Sequence, residues 1–262
     1  MKANLKGKTV VITGGDGGIG FATSKRLFDE GAKIFNISKT GKQNKIFAKS
    51  FQCDISDDEM LENVINQILK EENKIDFLIC NAGFGIGGKV ENASIKNIDA
   101  ILNVNLISHV KLTRLLASHI NDGGKIVYTG SLASIIPLPY QACYSASKAG
   151  IESFSRAIAT EFRDRKIKTT VVMPGDIKTG FTDARIKESD GSESEKRGIE
   201  KMEKAERTGK DPDTVAKVFL KILKKKNPPL RVSVGGSSKL IAFLTRIVPT
   251  KLLNFLVRKI YV

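Results

Sequence analysis

The sequence predicts an α/β protein with a parallel, doubly wound β-sheet between two layers of helices. Short apolar runs rich in β-branched residues alternate with longer segments whose apolar residues recur at helical spacing. A glycine-rich turn joins the first such run to the first such segment. The length of 262 residues suits one sizeable core, so a single domain over residues 1–262 is expected.

Seven strands are predicted, each bounded by turn residues or by the start of a helical segment. They lie near residues 8–13, 33–37, 47–52, 75–80, 124–130, 167–173 and 231–235. Helices are expected to fill most of the gaps between them, which favours a parallel sheet with helices on both faces.

The first predicted strand, residues 8–13, is followed at once by GGDGGIG and then by a helical segment that ends at Gly31. Gly14 permits a tight turn, Gly18 lets the backbone approach a pyrophosphate, and Gly20 allows close packing of helix and strand. The helix N-terminus supplies free N–H groups and a positive dipole. This arrangement predicts a nucleotide site, with a merely flexible turn as the alternative.

A tyrosine and a lysine stand four positions apart in YSASKAG, so that Tyr144 and Lys148 share one face of a helix. A nearby ammonium favours the phenolate and lowers a tyrosine pKa that is ordinarily about 10. The pair therefore predicts a proton donor that works near neutral pH. The alternative is an ordinary solvated tyrosine and lysine.

The glycine turn has the spacing T-G-x-x-x-G-I-G over residues 13–20, not the broader G-x-G-x-x-G. With N-A-G at 81–83 and Y-x-x-x-K at 144–148, it resembles the classical short-chain dehydrogenases/reductases. Six landmarks occur in the family's order over residues 8–179. The resemblance implies a Rossmann-type, three-layer αβα fold and an oxidoreductase that acts on a carbonyl or an alcohol.

The resemblance also implies a catalytic set of Asn105, Ser131, Tyr144 and Lys148. Tyr144 would protonate the developing alkoxide, and Ser131 would hydrogen-bond the carbonyl oxygen. Lys148 would lower the tyrosine pKa and bind the nicotinamide ribose, while Asn105 would hold a water that links Lys148 to solvent. The alternatives are a helix-capping role for Asn105 and a strand-end role for Ser131.

The implied cofactor contacts lie mostly on loops that follow predicted strands. They are Gly14, Asp16, Gly18, Ile19, Gly20, Ser38, Lys39, Asp54, Ile55, Asn81, Ala82, Gly83, Tyr144, Lys148, Pro174, Gly175, Ile177 and Thr179.

The end of the second strand indicates which dinucleotide is bound. An acidic residue there would bind the ribose 2′-hydroxyl of NAD, but this chain has Ser38 followed by Lys39, with Lys42 and Lys45 nearby. A hydroxyl and several ammonium groups suit a 2′-phosphate, so NADP(H) is favoured and NAD(H) is possible. Gly17 departs from the basic residue that many NADP-selective relatives carry in the glycine loop.

The net charge of +15 is expected to attract acidic partners, phosphates or anionic membranes, unless it reflects a lysine-rich proteome. No nucleic-acid motif is visible, so nucleic acid is not expected as a partner. Three scattered cysteines suit reduced thiols rather than disulfides or a metal site. Without a visible signal peptide, a cytoplasmic location is expected. The resemblance implies a homo-oligomer, either a dimer or a tetramer.

The last third of the chain carries no family motif. Residues 180–210 are highly charged, and the resemblance implies a substrate lid there, with a disordered insertion as the alternative. Residues 237–262 form an amphipathic, basic extension that is too charged to span a membrane. It predicts peripheral membrane contact, or else helices that pack on the core or on a second subunit.

These observations favour an NADP(H)-dependent oxidoreductase that acts on a small-molecule carbonyl or alcohol, of a lipophilic or acyl-chain type. A narrower alternative is a 3-oxoacyl-carrier-protein reductase. An alternative of another class is a non-catalytic NADP(H)-binding sensor or interaction protein, since fold does not fix function.

Overall fold

The computed structural model describes residues 5–188, 191–245 and 247–262, excluding the side chains of residues 236–239. The strands are β1 (Thr9–Thr13), β2 (Lys33–Ser38), β3 (Lys49–Gln52), β4 (Ile75–Cys80), β5 (Ile86–Gly87), β6 (Ile120–Thr129), β7 (Lys168–Pro174), β8 (Ile186–Lys187) and β9 (Arg231–Val234). The α-helices are α1 (Gly18–Asp29), α2 (Asp58–Glu71), α3 (Ile95–Leu102), α4 (Ser108–Leu116), α5 (Ala142–Glu161), α6 (Glu193–Arg207), α7 (Pro212–Lys224), α8 (Gly236–Leu244) and α9 (Thr250–Tyr261).

Seven of the strands form one sheet in the order β3-β2-β1-β4-β6-β7-β9, and every neighbouring pair is parallel. The chain winds outward from β1 in one direction and, from β4 onward, in the other. The order therefore reverses between β1 and β4, where a ligand crevice opens in folds of this kind. The predicted doubly wound sheet is confirmed.

Two apolar cores lie on opposite faces of the sheet. One contains residues of α2, α4 and α5, including Leu61, Leu112 and Ile151, and the other contains residues of α1 and α7, including Leu27 and Phe219. All five of these side chains are buried. Helices therefore cover both faces of the sheet, which confirms the three-layer arrangement.

The largest error in the predicted strands is the start of β6. This strand begins at Ile120, four residues before the predicted position, and the sequence Asn-Asp-Gly-Gly lies inside it. These residue types are typical of turns, and Gly123 has a φ of 77°. The pairing of β4 with β6 is irregular between Ile75 and Phe77, which is how the strand accommodates the turn-like residues.

The predicted lid region, residues 180–210, is largely folded. It contains β8, which pairs with β5 as a separate two-stranded sheet, and the fifteen-residue helix α6. The alternative of a disordered insertion is therefore wrong for the part described; residues 189 and 190 lie outside it. A role as substrate lid remains a prediction.

The C-terminal extension consists of α8 and α9, with Pro249 at the N-cap of α9. Pro249 accounts for the break, because a proline cannot continue the preceding helix. Arg246 and the side chains of Ser237, Ser238 and Lys239 lie outside the described residues. No helix in the described parts of the chain is long and apolar enough to cross a membrane.

Candidate active site

The predicted site residues gather at one edge of the sheet. Each of six strands, β1, β2, β3, β4, β6 and β7, is followed by residues of the predicted set, and parallel strands have their carboxyl ends at a common edge. Ser131 follows β6 in this way, and Pro174 is the last residue of β7. Ile55 and Ile177 are buried beneath this edge.

The glycine turn is shaped to hold a phosphate group. Gly14 has a φ of 65°, which favours glycine, and a Cβ atom on Gly20 would overlap the carbonyl oxygen of Gly14. Gly17 has open space around it, and α1 begins at the next residue, so its first N–H groups face that space. These features fit the pyrophosphate of a dinucleotide.

Two further predicted segments close over the turn. A Cβ atom on Gly18 would lie 3.2 Å from Thr179 Cβ, so the loop after β7 contacts the glycine turn. Asn81 Nδ2 donates to the carbonyl oxygen of Gly14 at 3.2 Å, and Asn81 Oδ1 accepts from Thr129 Oγ1 at 3.0 Å. Asn81 thereby joins the ends of three strands, β1, β4 and β6.

Two of the residues expected to choose between NAD and NADP, Ser38 and Lys39, are already paired with carboxylates. Ser38 Oγ donates to Asp16 Oδ2 at 2.7 Å, and the Thr40 hydroxyl donates to the same oxygen. Lys39 Nζ lies 3.1 Å from Asp54 Oδ2. The side chain of Ser56, Lys39 and the Ser56 backbone together lower the pKa of Asp54, against the effect of its partial burial. The predicted 2′-phosphate site therefore contains negative as well as positive groups.

Asn105 lies in a π-helical turn, Asn103–Ile107, between α3 and α4. Its Nδ2 donates to the carbonyl oxygen of Phe84 at 2.9 Å, and its Oδ1 accepts from the Phe84 N–H at 3.0 Å. The side chain thus holds the loop after Asn81–Gly83 in place, and a Cβ on Gly83 would lie 3.0 Å from Asn105 Oδ1. The water-holding role of Asn105 stays a prediction.

Tyr144 stands in the first turn of α5 and remains partly exposed to the cleft. The ring of Phe181 meets it edge-on, with ring centroids 5.7 Å apart. Ser131 Oγ accepts from the Ala133 N–H at 3.1 Å, which begins a short 3₁₀ turn and fixes the serine beside the cleft.

Lys148 is buried one helical turn after Tyr144, with Nζ 5.8 Å from the centroid of the tyrosine ring. Its Nζ donates to the carbonyl oxygen of Thr129 at 2.9 Å. Burial lowers the pKa of Lys148 to about 8. A cation in this position is costly to desolvate and is held by a single carbonyl among the described contacts.

The expected lowering of the Tyr144 pKa is wrong for the protein as the structure describes it. Burial of the phenol raises its pKa to about 12, a hydrogen bond with Ser131 opposes the rise, and the charge of Glu206 adds to it. The Lys148 ammonium points instead at Thr129, and its own charge is disfavoured. Tyr144 is therefore fully protonated at pH 7.

A buried ion pair beside Tyr144 was missed by the sequence analysis. Arg185 is fully buried, donates to Glu206 at 2.5 Å, and lies with its guanidinium carbon 5.8 Å from the centroid of the Phe181 ring. Glu206 also accepts from Thr182 Oγ1 at 2.7 Å. Both partners lie within the highly charged residues 180–210, where such charges indicate a solvated surface and give no sign of burial.

A cavity of about 330 Å³ opens beside the N-terminus of α5. It is lined by Gly88, Lys89, Val90, Glu91, Tyr140 and Ala142. Among the described residues, no group of three or more histidine, cysteine or acidic side chains is placed to hold a metal ion.

Comparison with known proteins adds four findings. A family described as short chain dehydrogenase matches residues 8–190. The 3-ketodihydrosphingosine reductase of Bacteroides thetaiotaomicron is 33% identical over 239 residues, covering 88% of this chain and 89% of that protein. The crystal structure of a short chain dehydrogenase from Burkholderia cenocepacia in complex with NADP is 26% identical with a TM-score of 0.74, covering 90% of this chain and 100% of that one. A dehydrogenase from Burkholderia phymatum in complex with NAD has a TM-score of 0.80 at 21% identity, covering 94% of both chains, and so shares the fold.

Proposed function

Because the chain belongs to the short-chain dehydrogenase/reductase family, we propose that it reduces the carbonyl group of a lipophilic or acyl-chain substrate. The observation that carries this proposal is the arrangement of Ser131, Tyr144 and Lys148 around one cleft, next to a glycine turn that fits a dinucleotide. A bound nicotinamide supplies the hydride.

Residues of this chain then bind the carbonyl oxygen and protonate it. Ser131 donates a hydrogen bond to that oxygen and orients the substrate. When the carbonyl carbon gains the hydride, the electrons of the C=O π-bond move to the oxygen. Tyr144 donates its phenolic proton to that oxygen, which completes the alcohol. Lys148 lies one turn away, with Nζ 5.8 Å from the centroid of the tyrosine ring, where it would bind the nicotinamide ribose. The product is the alcohol, and the two electrons of the reduction would come from the bound cofactor as hydride.

The raised pKa of Tyr144 agrees with its proposed role as the proton donor in reduction. A phenol with a pKa of about 12 carries its proton at pH 7, so Tyr144 begins the reaction as an acid. The developing alkoxide is more basic than a phenolate, so the transfer is downhill. In the reverse direction, the same residue would have to lose its proton first, at a cost that its burial increases.

The surroundings of Tyr144 support a lipophilic substrate. The Phe181 ring contacts the tyrosine on one side, and the cavity beside the N-terminus of α5 is lined by Val90 and Tyr140 as well as by Lys89 and Glu91. The relative from Bacteroides thetaiotaomicron is named for a keto group on a long-chain lipid base. A 3-oxoacyl-carrier-protein reductase is the narrower alternative, which competition by free acyl-carrier protein would reveal.

We expect Tyr144→Phe to lower turnover about a thousandfold while NADPH binding, followed by fluorescence, is retained. The matched control is Tyr128→Phe, which removes the hydroxyl of a buried core tyrosine that hydrogen-bonds Thr113. The substrates are aldehydes, ketones, quinones and 3-oxoacyl thioesters. Substantial activity of Tyr144→Phe would overturn the mechanism. Cofactor binding by wild-type protein without turnover of any substrate would instead support the non-catalytic sensor.

For the cofactor, we propose a preference for NADP(H). The loop after β2 carries Lys39, Lys42 and Lys45, whereas Asp16 and Asp54 are the carboxylates paired with residues of this region. Three positive charges against two negative charges leave a net positive charge of one, which favours a phosphate. Asp16 opposes the lysines, so the preference is expected to be modest.

The ratio of kcat/KM for NADPH to that for NADH tests this assignment. Asp16→Ser should raise the ratio about tenfold, because it removes a carboxylate beside the predicted phosphate position. Lys39→Ala should lower it. The matched control for charge removal is Glu59→Gln on α2. A wild-type preference for NADH would overturn the NADP(H) assignment and leave the carbonyl chemistry intact.

A further inference from the structure

The C-terminal extension exposes an unusual amount of apolar surface. Of sixteen large apolar side chains that are exposed among the described residues, ten belong to residues 240–262. They are Leu240, Ile241, Phe243, Leu244, Ile247, Leu252, Phe255, Leu256, Ile260 and Val262. Single exposed apolar residues are normal, but a cluster of this size marks a surface that contacts something else.

The exposed stripe of α9 is distinct from the face that packs on the protein. Leu252, Leu256 and Ile260 recur at every fourth position and form one exposed stripe. Val257 and Tyr261, also four apart, form the packed face: Val257 is buried, and burial is the first cause of a raised Tyr261 pKa. One side of α9 therefore packs on the protein, and its opposite, apolar side is exposed.

The packed face of α9 is held by the helix α6. Lys201 Nζ donates to the carbonyl oxygen of Ile260 at 2.9 Å. Gly198 has no side chain at a point where a Cβ would collide with both the Tyr140 ring and the backbone oxygen of Tyr261. This contact fixes the orientation of α9, so its exposed stripe points away from α6 in a defined direction.

The side-chain charges within the extension itself are all positive. The sequence from residue 236 to 262 contains no aspartate or glutamate, and Lys251, Arg258 and Lys259 are exposed on α9. A second copy docked face to face by the same surface would place these cations against their counterparts, without acidic residues of the extension to pair with them. An anionic surface is complementary to them, and the net charge of +15 adds a long-range attraction.

We propose that α8 and α9 form a surface that binds anionic phospholipid bilayers, with the apolar stripe in the acyl–headgroup boundary and the cations at the phosphates. A helix of twelve residues is about 18 Å long, too short to cross a bilayer core of roughly 30 Å, and so it lies in the interface plane. The surface is argued from the extension alone and does not depend on the proposed catalytic activity.

One consequence does rest on the proposed function. Tyr140 lines the cavity of about 330 Å³ and also contacts Gly198 on α6, which in turn holds α9. A bilayer bound at α9 would thus lie two contacts away from the wall of this cavity. A lipophilic ketone dissolved in the bilayer would have a short path from the membrane to this cavity beside the N-terminus of α5.

Vesicle co-sedimentation of the full-length protein tests the surface without measuring catalysis. The vesicles are phosphatidylcholine with or without phosphatidylglycerol. We expect wild-type protein to sediment with the anionic vesicles and much less with the neutral ones. A double variant, Phe255→Glu with Leu256→Glu, should bind the anionic vesicles at least about tenfold more weakly.

Charge reversal separates the electrostatic contribution. Lys251→Glu with Arg258→Glu should weaken binding to anionic vesicles at least about thirtyfold, because two cations at roughly 1 kcal/mol each are lost, and leave binding to neutral vesicles nearly unchanged. Met60→Glu, an exposed apolar residue on α2, is the matched control and should bind like wild type. Unchanged thermal unfolding verifies that each variant is folded.

Two results would overturn the proposal. One is equal sedimentation of wild type and the Phe255→Glu, Leu256→Glu variant. The other is sedimentation velocity showing a wild-type oligomer that this variant dissociates, together with no vesicle binding, which would assign the surface to a second copy. Because the readout is binding, loss of the membrane surface and loss of the proposed enzymatic activity are distinguishable.

Discussion

Replacing Lys148 by methionine should make the protein more stable at pH 7 while removing its activity. The lysine is buried, and its pKa is lowered by burial from 10.5 to about 8. That difference corresponds to about 3 kcal/mol by which the charged form destabilises the folded state at pH 7. Methionine has a similar length and no charge, so it avoids this cost.

The gain is reduced by the hydrogen bond that the variant loses. Without the ammonium, the carbonyl oxygen of Thr129 loses a donor at 2.9 Å, which costs about 1 kcal/mol. The net stabilisation is therefore about 2 kcal/mol, or a rise in melting temperature of roughly 5 °C for a chain of this size.

The pH dependence follows from the sign of the shift. Between about pH 8 and pH 10.5, the folded protein has released the Lys148 proton while the unfolded chain still binds it, so wild-type stability rises with pH. Below pH 8 both states are protonated, and the full cost remains. The variant lacks this rise, so its advantage should be largest at pH 7 and mostly lost by about pH 9.5.

Urea unfolding of both proteins at several pH values measures this difference. Lys226→Met, at an exposed position after α7, is the control for replacing a lysine by methionine and should change stability little. The reasoning is refuted if Lys148→Met is less stable than wild type at pH 7, or if its advantage does not shrink as the pH rises.

Three further predictions concern the same cleft. Gly20→Ala should abolish dinucleotide binding in a fluorescence titration, because the added methyl group would overlap the carbonyl oxygen of Gly14 and open the turn. Ser131→Ala should lower kcat about a hundredfold with little change in cofactor affinity, by removing a donor to the carbonyl oxygen. Arg185→Met should lower the free energy of unfolding by about 3 kcal/mol, because it leaves the Glu206 carboxylate, whose side chain is only 17% exposed, without its ion pair, and urea titration would measure it.

The sequence was sufficient to predict the sheet and the edge at which the site lies. The alternation of strand and helix patterns requires crossovers, and parallel strands bring their carboxyl ends together whatever the loop lengths. The landmarks Asn81, Ser131 and Tyr144 could therefore be assigned to one cleft although they lie far apart in the chain. The seven strands of the main sheet were all predicted, with an error mainly where Gly123 and Gly124 resemble a turn.

Electrostatic details could not be predicted because they depend on burial. The spacing of Tyr144 and Lys148 is the same whether the lysine is solvated or buried, yet burial reverses the expected shift of the tyrosine pKa. The pairing of Asp16 with Ser38 joins two loops, and no local pattern reports it. Arg185 likewise has the same appearance in the sequence as its solvated neighbours.

The π-helical turn at Asn103–Ile107 affects which insertions and deletions this protein can tolerate. A π turn holds one residue more than an α turn, so deleting a single residue within it would restore regular helical spacing. Five residues at the wider π spacing turn through about the same angle as four residues of an α-helix, so α3 and α4 would keep their faces, but the widened turn that presents Asn105 would be lost. With α4 still holding Leu112 in the core, Asn105 could no longer face Phe84. Single-residue deletions should therefore be far more harmful in this turn than substitutions at its exposed position, Ile107.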